Sequence, residues 1–576
     1  MRGTLVLCDA LHNQWLRFEA PREILQVYSL AEIVPALEHV EQSVNQQNMY
    51  AAGFISYEAA PAFDTALQTH TLYDFPLLWF GLYDAPSTTT FIPSYSSFPA
   101  PVWTPNISRD AYNTAIARIR EHIARGDTYQ VNYTMRLRAE FHDDAWNLFS
   151  HLVRAQPQSY AAFLDTGRYA ICSASPELFL RREGNVLTIK PMKGTAPRGR
   201  FLREDRERAN WLHHSGKNRA ENVMIVDMAR NDLGRIAEVG SVHVSRLFET
   251  ERYPTVWQMT STVNATSDAS FVEILRATFP CASITGAPKA RTMQIISELE
   301  TEPRCVYTGA IGFLAPNRRA QFNVAIRTAI VDREKNFAEY GVGGGIVWDS
   351  EASDEYAETR HKARVLTETP QEFSLIEALR WTPDEKFWLL AEHLRRLRDS
   401  ADYFDFPFDE TRARGELERV VRTLRRVGHK VRLLLARDGA LNVSAAPLST
   451  QREPVQLALA KTPVNSSDTF LFHKTTRREV YDAALSPRGE ADDVLLWNER
   501  GEITETCAAN IVVQFGDDCF TPPVECGLLG GTFRAALLEQ GKIHERVMLW
   551  NELLDARAVF RINSVRGWQR AILLST

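Results

Sequence analysis

The sequence predicts an α+β protein built in two parts, and three observations lead there. The chain has 576 residues, more than one ordinary hydrophobic core serves, so two large domains or three smaller ones are expected. From the start to about Leu366, strand-like runs alternate with helical stretches. Thr369-Pro370-Gln371 then breaks the pattern, because proline disfavours helix at the residue before it. The expected domains are 1–368, mixed α and β, and 373–576, an α/β unit.

In the first part, Tyr169 to Leu180, Val186 to Lys190 and Gln321 to Val331 read as strands. Arg109 to Arg125, Arg206 to Met228 and the charged Tyr356 to Glu368 read as helices. The second part holds an arginine-rich helix, Glu416 to Val427, a strand, Lys430 to Arg437, and short apolar runs separated by Gly, Pro and Asp. Arg422, Arg425 and Arg426 read as a solvated helix face. There are no repeats or low-complexity segments.

Composition narrows the function classes. A net charge of -6 and a pI near 6.2 give no global attraction to nucleic acid or anionic lipid, so an anionic substrate must be met by a local arrangement of charge. Small-molecule partners are expected, with no nucleic acid and no membrane. Seven cysteines without a Cys-x-x-Cys pair suit a reducing compartment and speak against a disulfide framework or a zinc cluster. The opening MRGTLVLCDALHNQW lacks a signal-peptide layout, and no apolar run approaches the roughly 20 residues needed to span a bilayer. A cytoplasmic protein is expected.

Three groups of residues in the first part carry chemistry in combination. Lys193, in Pro191-Met192-Lys193-Gly194-Thr195, can act as a nucleophile if burial or neighbours lower its pKa; alone it reads first as a solvated cation. Glu221 lies in a helical stretch, and Glu355 and Glu358, three apart, share a helix face. Such carboxylates can hold magnesium, which favours a few carboxylates with water and a substrate oxygen, although each singly also reads as a surface glutamate. Gly341-Val342-Gly343-Gly344-Gly345-Ile346-Val347 can bring main-chain N–H groups close to an anion. Arg327, on a probable strand, and Lys362 can add charge-assisted bonds to a carboxylate. For Arg327, ligand contact and a structural ion pair are both open.

With Phe279-Pro280-Cys281-Ala282-Ser283-Ile284-Thr285-Gly286-Ala287-Pro288-Lys289 and Tyr307-Thr308-Gly309-Ala310-Ile311-Gly312, these segments resemble the chorismate-binding family over roughly residues 50 to 366. The resemblance implies a fold of large antiparallel sheets with outer helices. It implies magnesium on Glu221, Glu355 and Glu358, and carboxylate or ring contacts from Gly194, Thr195, Ser283, Tyr307, Arg327, Gly343, Gly345 and Lys362. Glu177, in Ser175-Pro176-Glu177-Leu178-Phe179, matches the general acid that protonates the departing ring hydroxyl. Lys193 points within the family to the branch that forms aminodeoxychorismate, where this lysine adds to the ring and ammonia displaces it at the para carbon. Gln258 stands where related anthranilate synthases have a histidine associated with pyruvate loss, so the product should keep its enolpyruvyl ether. None of Cys8, Cys172, Cys281, Cys305, Cys507, Cys519 or Cys526 lies in the tight glycine-rich turn of a glutaminase nucleophile. A separate glutamine amidotransferase subunit is therefore expected to supply ammonia.

In the second part, Lys474 ends an apolar approach, Phe470-Leu471-Phe472-His473, and by itself also reads as a strand-end lysine reaching solvent. Glu505 lies in a polar turn into an apolar strand, where a buried carboxylate can hold a pyridine nitrogen protonated. Gly527-Leu528-Leu529-Gly530-Gly531 opens a helix, Phe533 to Gln540, whose free N–H groups suit a phosphate. These segments in this order resemble class IV pyridoxal-phosphate enzymes over about residues 373 to 576. By that resemblance Lys474 bonds the cofactor aldehyde and Glu505 pairs with the ring nitrogen. Thr532, Phe533, Arg396 and Ser564 match phosphate contacts. The opening of the small subdomain is short, Phe373 to Trp381, and a homodimer through this part is possible in the family. The two resemblances together imply amination of chorismate followed by pyruvate elimination to 4-aminobenzoate. The competing readings are an anthranilate-type synthase fused to an amino acid aminotransferase, and a binding protein with a degenerate site.

Overall fold

The structure, a computed structural model, describes residues 2–89, 101–157, 160–367 and 372–574. The chain forms two compact units, one of Met1–Pro197 with Ala209–Pro370, the other of Arg198–Arg208 with Gln371–Thr576. A linear division into 1–368 and 373–576 differs from these units by the excursion Arg198–Arg208. The break expected at Thr369-Pro370-Gln371 lies outside the described residues.

The first unit has the large antiparallel sheets that the family resemblance implies. It holds two ten-stranded sheets, with antiparallel pairing along each. Strands such as Leu78–Tyr83 and Tyr169–Ser175 are buried at every residue, the pattern of strands covered on both faces. Helices including Arg109–Ala124, Ala145–Ala155 and Gly216–Gly234 pack apolar residues against the strands. Two predicted strands are each two shorter ones that switch sheets. Tyr169–Ser175 belongs to one sheet and Leu178–Glu183 to the other, with Pro176, which cannot donate to a ladder, at the switch. Arg319–Val324 and Thr328–Asp332 divide in the same way, with Arg327 left-handed at φ 52 between them. The predicted helix Arg206 to Met228 is likewise interrupted. Ser215 accepts from the Asn218 N–H and caps a new helix, Gly216–Gly234, after Leu202–His214.

The second unit has a four-stranded sheet, ordered Lys386–Phe387, Leu375–Thr382, His429–Leu435, Leu441–Pro447, and an eight-stranded mixed sheet. In the latter Val455–Leu459 runs parallel to both Asp493–Trp497 and Gly567–Leu573. The arginine-rich helix spans Glu410–Val421, earlier than Glu416 to Val427, because the Asp409 carboxylate caps the Arg412 N–H. Arg425 and Arg426 fall in the turn beyond it and form no helix face with Arg422. No helix among the described residues is long and apolar enough to cross a membrane.

Candidate functional site

Lys193 sits on the edge strand Met192–Pro197, whose register against Val256–Thr266 slips between Met192 and Thr195. Gly194 absorbs the slip at φ +100, so the strand bulges and the lysine side chain is re-aimed. Asn222, fully buried, donates to the Lys193 carbonyl at 3.2 Å and accepts from the Ser261 hydroxyl at 2.6 Å. The bulge is therefore pinned from the helix beneath. The Lys193 amine points at Gly345, where a Cβ would stand 3.0 Å from Nζ, 2.2 Å from Gln130 Nε2 and 3.2 Å from Asn132 Oδ1. A side chain there would have to push those three side-chain ends aside. Burial, and then Lys362, hold the Lys193 amine below the usual lysine range, against the opposing pull of Glu177, Glu221 and Glu358.

Glu177 occupies the first sheet switch, 3% exposed, with Ser283 Oγ donating to its Oε1 at 2.6 Å. Burial pushes its carboxyl up to about 7, against the Ser283 bond and the Lys193 charge. It is thus part-protonated near neutrality and faces an amine with weakened proton affinity, the pairing an acid and a nucleophile require.

The glycine run lies in a strand, Phe337–Ile346. Gly343 stands opposite Thr134 and Gly345 opposite Asn132. The Thr134 N–H goes to Glu300 and the Asn132 N–H to the Thr285 carbonyl, so both are non-hydrogen-bonded pairs, and Gly343 and Gly345 direct their N–H groups away from the neighbouring strand. On that side Lys362 Nζ donates to the Gly343 carbonyl at 2.9 Å and pairs with Glu358 at 2.8 Å. Arg327, at the second sheet switch, donates to the Lys362 carbonyl. The Tyr307 ring backs onto Gly341 and lies under the Arg136 guanidinium, 5.3 Å from its centroid. Thr195 is exposed and donates to Gln258 at 3.1 Å.

Glu221, Glu355 and Glu358 lie within electrostatic reach of one another. Among the described residues no group of three His, Cys, Asp or Glu is placed to hold a metal. Glu358 is held by Lys362 and Glu355 accepts from Ser350 at 2.6 Å. Glu355 nonetheless feels Glu358 and Glu221, which with burial raise its carboxyl. The oxygens suit a hard cation, but the arrangement does not by itself enclose one.

In the second unit Lys474 is fixed through its backbone, its carbonyl accepting from the Ile376 N–H at 2.9 Å. Burial pushes its amine down to about 8, aided by Arg396 and Arg478 and opposed by Glu377 and Glu505. Glu505 is 4% exposed and accepts from Tyr481 Oη at 2.8 Å, the Leu529 N–H at 3.2 Å and Asn510 Nδ2 at 3.3 Å. Burial raises it to about 7. The helix Thr532–Glu539 starts at Thr532 and Phe533, whose N–H groups belong to the unpaired first turn. A Cβ on Gly531 would meet Asn510 Oδ1 at 1.9 Å. Arg396 is gripped by Glu377 through Nε at 2.9 Å and a second nitrogen at 2.7 Å, and reaches the Gly530 carbonyl at 3.2 Å. Ser564 is buried beyond the strand Ala558–Asn563. A lysine of lowered proton affinity, a buried carboxylate, a cation and a glycine-preceded helix start fit pyridoxal phosphate by chemistry.

Several contributors escaped the sequence reading. Gln130 and Asn132 project from the apolar strand Gln130–Glu140 at Gly345, and Gln130 Oε1 is buried with no partner among the described residues; their alternation with buried apolar residues was the available signal. Asn222, adjacent to Glu221, gave none. Nor did Glu377 and His393, whose 2.5 Å contact joins residues sixteen apart.

Comparison with known proteins separates the two parts by family. Residues 88–368 match the family of chorismate binding enzymes and residues 374–572 match amino-transferase class IV. An aminodeoxychorismate synthase of Streptomyces griseus is 45% identical over 262 residues, 45% of this chain and 36% of that one. An aminodeoxychorismate synthase component 1 of Klebsiella aerogenes is 40% identical over 301 residues, 51% and 65% of the two chains. The chain thus spans about a third to two thirds of the length of these curated relatives. The crystal structure of anthranilate synthase component I from Streptococcus pneumoniae superposes with a TM-score of 0.53 at 25% identity, covering 64% of this chain and 92% of that one. The chain joins a domain of the chorismate binding enzyme family, residues 88–368, to one of the class IV amino-transferase family, residues 374–572.

Proposed function

We propose that the chain makes 4-aminobenzoate in two steps, aminating chorismate to 4-amino-4-deoxychorismate in the first unit and eliminating pyruvate from it in the second. The observation that carries the first step is the Lys193 amine, re-aimed by the Gly194 bulge and held beside Glu177. Gly343, Gly345, Arg327 and Lys362 hold the substrate carboxylates, with Tyr307 and Ser283 shaping the pocket. Glu177 gives its proton to the departing ring hydroxyl, which leaves as water while the Lys193 amine bonds to the ring. Ammonia then forms the new C–N bond at the para carbon and the lysine leaves with its electron pair. Gln258, paired with Thr195, cannot exchange a proton at working pH, so the enolpyruvyl ether is kept. Glu221, Glu355 and Glu358, with a substrate carboxylate, are the proposed magnesium ligands; no step is routed through that ion.

In the second unit Lys474 is the proposed anchor for pyridoxal phosphate, Arg396, Thr532, Phe533 and Ser564 its phosphate contacts, and Glu505 the partner of its ring nitrogen. When bound, that group supplies an electron sink for the carbon bearing the amine. Lys474, poised near 8, removes the proton from that carbon, and loss of pyruvate leaves an aromatic ring. Ammonia is proposed to come from a separate glutamine amidotransferase, the setting to be the cytoplasm, and a homodimer through the second unit is possible in this scheme. Supplying chorismate, ammonium, magnesium and pyridoxal phosphate should yield 4-aminobenzoate. An ortho-aminated product would refute the reading in favour of an anthranilate-type synthase.

A further inference from the structure

Arg198–Arg208 follows the Lys193 strand in sequence, yet it is built into the second unit. Its contacts there are specific, and the one at Gly199 is buried. Tyr403 Oη donates to the Gly199 carbonyl at 2.6 Å, and the Arg198 guanidinium stacks 4.5 Å from the Tyr403 ring centroid. Phe201 packs on Phe472 at 5.4 Å, Arg200 lies 5.0 Å from the same ring and donates to the Ser466 carbonyl at 3.3 Å, and Arg206 pairs with Asp402 at 2.7 Å. The contact nearest the chemistry is His473. This residue is 5% exposed, and burial pushes its imidazole down to about 3, so it is neutral. Its Nε2 stands 3.2 Å from the Arg200 carbonyl, which can only accept, and its Nδ1 stands 2.9 Å from Ser400 Oγ. Nε2 therefore carries the proton and donates to Arg200, leaving Nδ1 to accept from Ser400.

We infer that Arg198–Arg208 is a wall of the Lys474 site, positioning that lysine through His473. On one side the backbone at 474–476 is tied to the strand Leu375–Thr382 and the residue before it, by the Ile376 N–H to the Lys474 carbonyl and the Thr476 N–H to the Ser374 carbonyl, both at 2.9 Å. On the other side Phe472 and His473 are held by the excursion. Removing the excursion takes the Arg200 support from one flank of the lysine's backbone and leaves the other flank fixed. His473 and Arg200 are thus positioning residues. The inference rests on the reading of Lys474 as the cofactor lysine.

The test uses the full chain carrying Arg198→Ala with Phe201→Ser, and separately His473→Leu and His473→Gln. Amide hydrogen exchange at 472–475 is measured without cofactor, and pyridoxal phosphate affinity by absorbance titration. In the double variant exchange at 472–475 should accelerate and cofactor affinity fall about tenfold, the value of one buried hydrogen bond. Gln keeps a donor for the Arg200 carbonyl and should stay near wild type, whereas Leu should match the double variant. Unchanged exchange at 472–475 in a variant whose excursion is released, or equal effects of Gln and Leu, would overturn the inference. A wild-type chain that takes up no pyridoxal phosphate overturns the Lys474 reading instead, and the cofactor-free exchange result separates the two failures.

Discussion

Replacing Asn222 by leucine tests whether the bulge at Lys193 is held by one side chain. Asn222 makes two bonds that leucine cannot, to the Lys193 carbonyl and from the Ser261 hydroxyl. Ser261 is fully buried and keeps its bond from the Phe248 N–H, so the change strands one carbonyl and one hydroxyl hydrogen. At roughly 1–3 kcal/mol for each stranded group, the first unit should lose roughly 2–6 kcal/mol of stability. The effect on amination should exceed what stability explains. A displacement of about 1 Å at a reacting group costs on the order of 10²-fold in rate, and the Lys193 peptide would lose its anchor on the helix side. Amination of chorismate with ammonium, followed by chromatography of aminodeoxychorismate, should fall by about that factor below the melting temperature. Pyruvate release from supplied aminodeoxychorismate should stay near wild type. Amination within about threefold of wild type, in a variant with the expected lower melting temperature, would show that the glycine bulge aims Lys193 without Asn222.

Three further outcomes are expected. Lys193→Ala should abolish amination and leave pyruvate release from supplied aminodeoxychorismate, whereas Lys474→Ala should do the reverse and accumulate that intermediate, which chromatography of the coupled reaction will show. The pH profile of amination should be bell-shaped. Glu177, raised to about 7, must hold its proton, so activity falls as pH rises through that value; Lys193 must be neutral, so activity also falls as pH drops. Ser283→Ala removes a bond that favours the ionised Glu177, raises its pKa further and should move the alkaline limb to higher pH. Chelation of magnesium with EDTA should suppress amination and spare the second step, and restoration by magnesium in a stopped assay checks it.

The fold class and the order of site segments were legible in the sequence because they rest on local pattern. Gly194 beside Lys193, the glycine run before the Glu355 helix, and glycines ahead of Thr532 are each short signals with a backbone reason. What escaped needed long-range information. Tyr169 to Leu180 looks like one apolar strand, and only pairing with different partners shows that Glu177 sits where it changes sheets. Gly343 and Gly345 suggest close approach to an anion, but their N–H direction follows only from where Thr134 and Asn132 send theirs. The glutamates proposed for magnesium show the converse. Residue type and spacing suggested a set, but Lys362 competes for Glu358, and competition between side chains is invisible to a motif.

Sequence contiguity was least informative at Arg198–Arg208. The stretch is rich in arginine and opens a charged helix, with no apolar run to mark it as part of a wall. Several of its groups are spent on partners far off in sequence: Arg198 on Tyr403, Arg206 on Asp402, and the Arg200 carbonyl on His473. An arginine stem buries as much apolar surface as many hydrophobic residues while its head still needs a partner, so such a segment can form a wall without any hydrophobic run to announce it. The consequence reaches beyond assignment of a boundary. A fragment begun at Gln371 would carry Lys474, Glu505 and the helix start at Thr532, every residue the class IV resemblance names, and would still lack the carbonyl that sets the proton on His473. Completeness of motifs is therefore not completeness of the site.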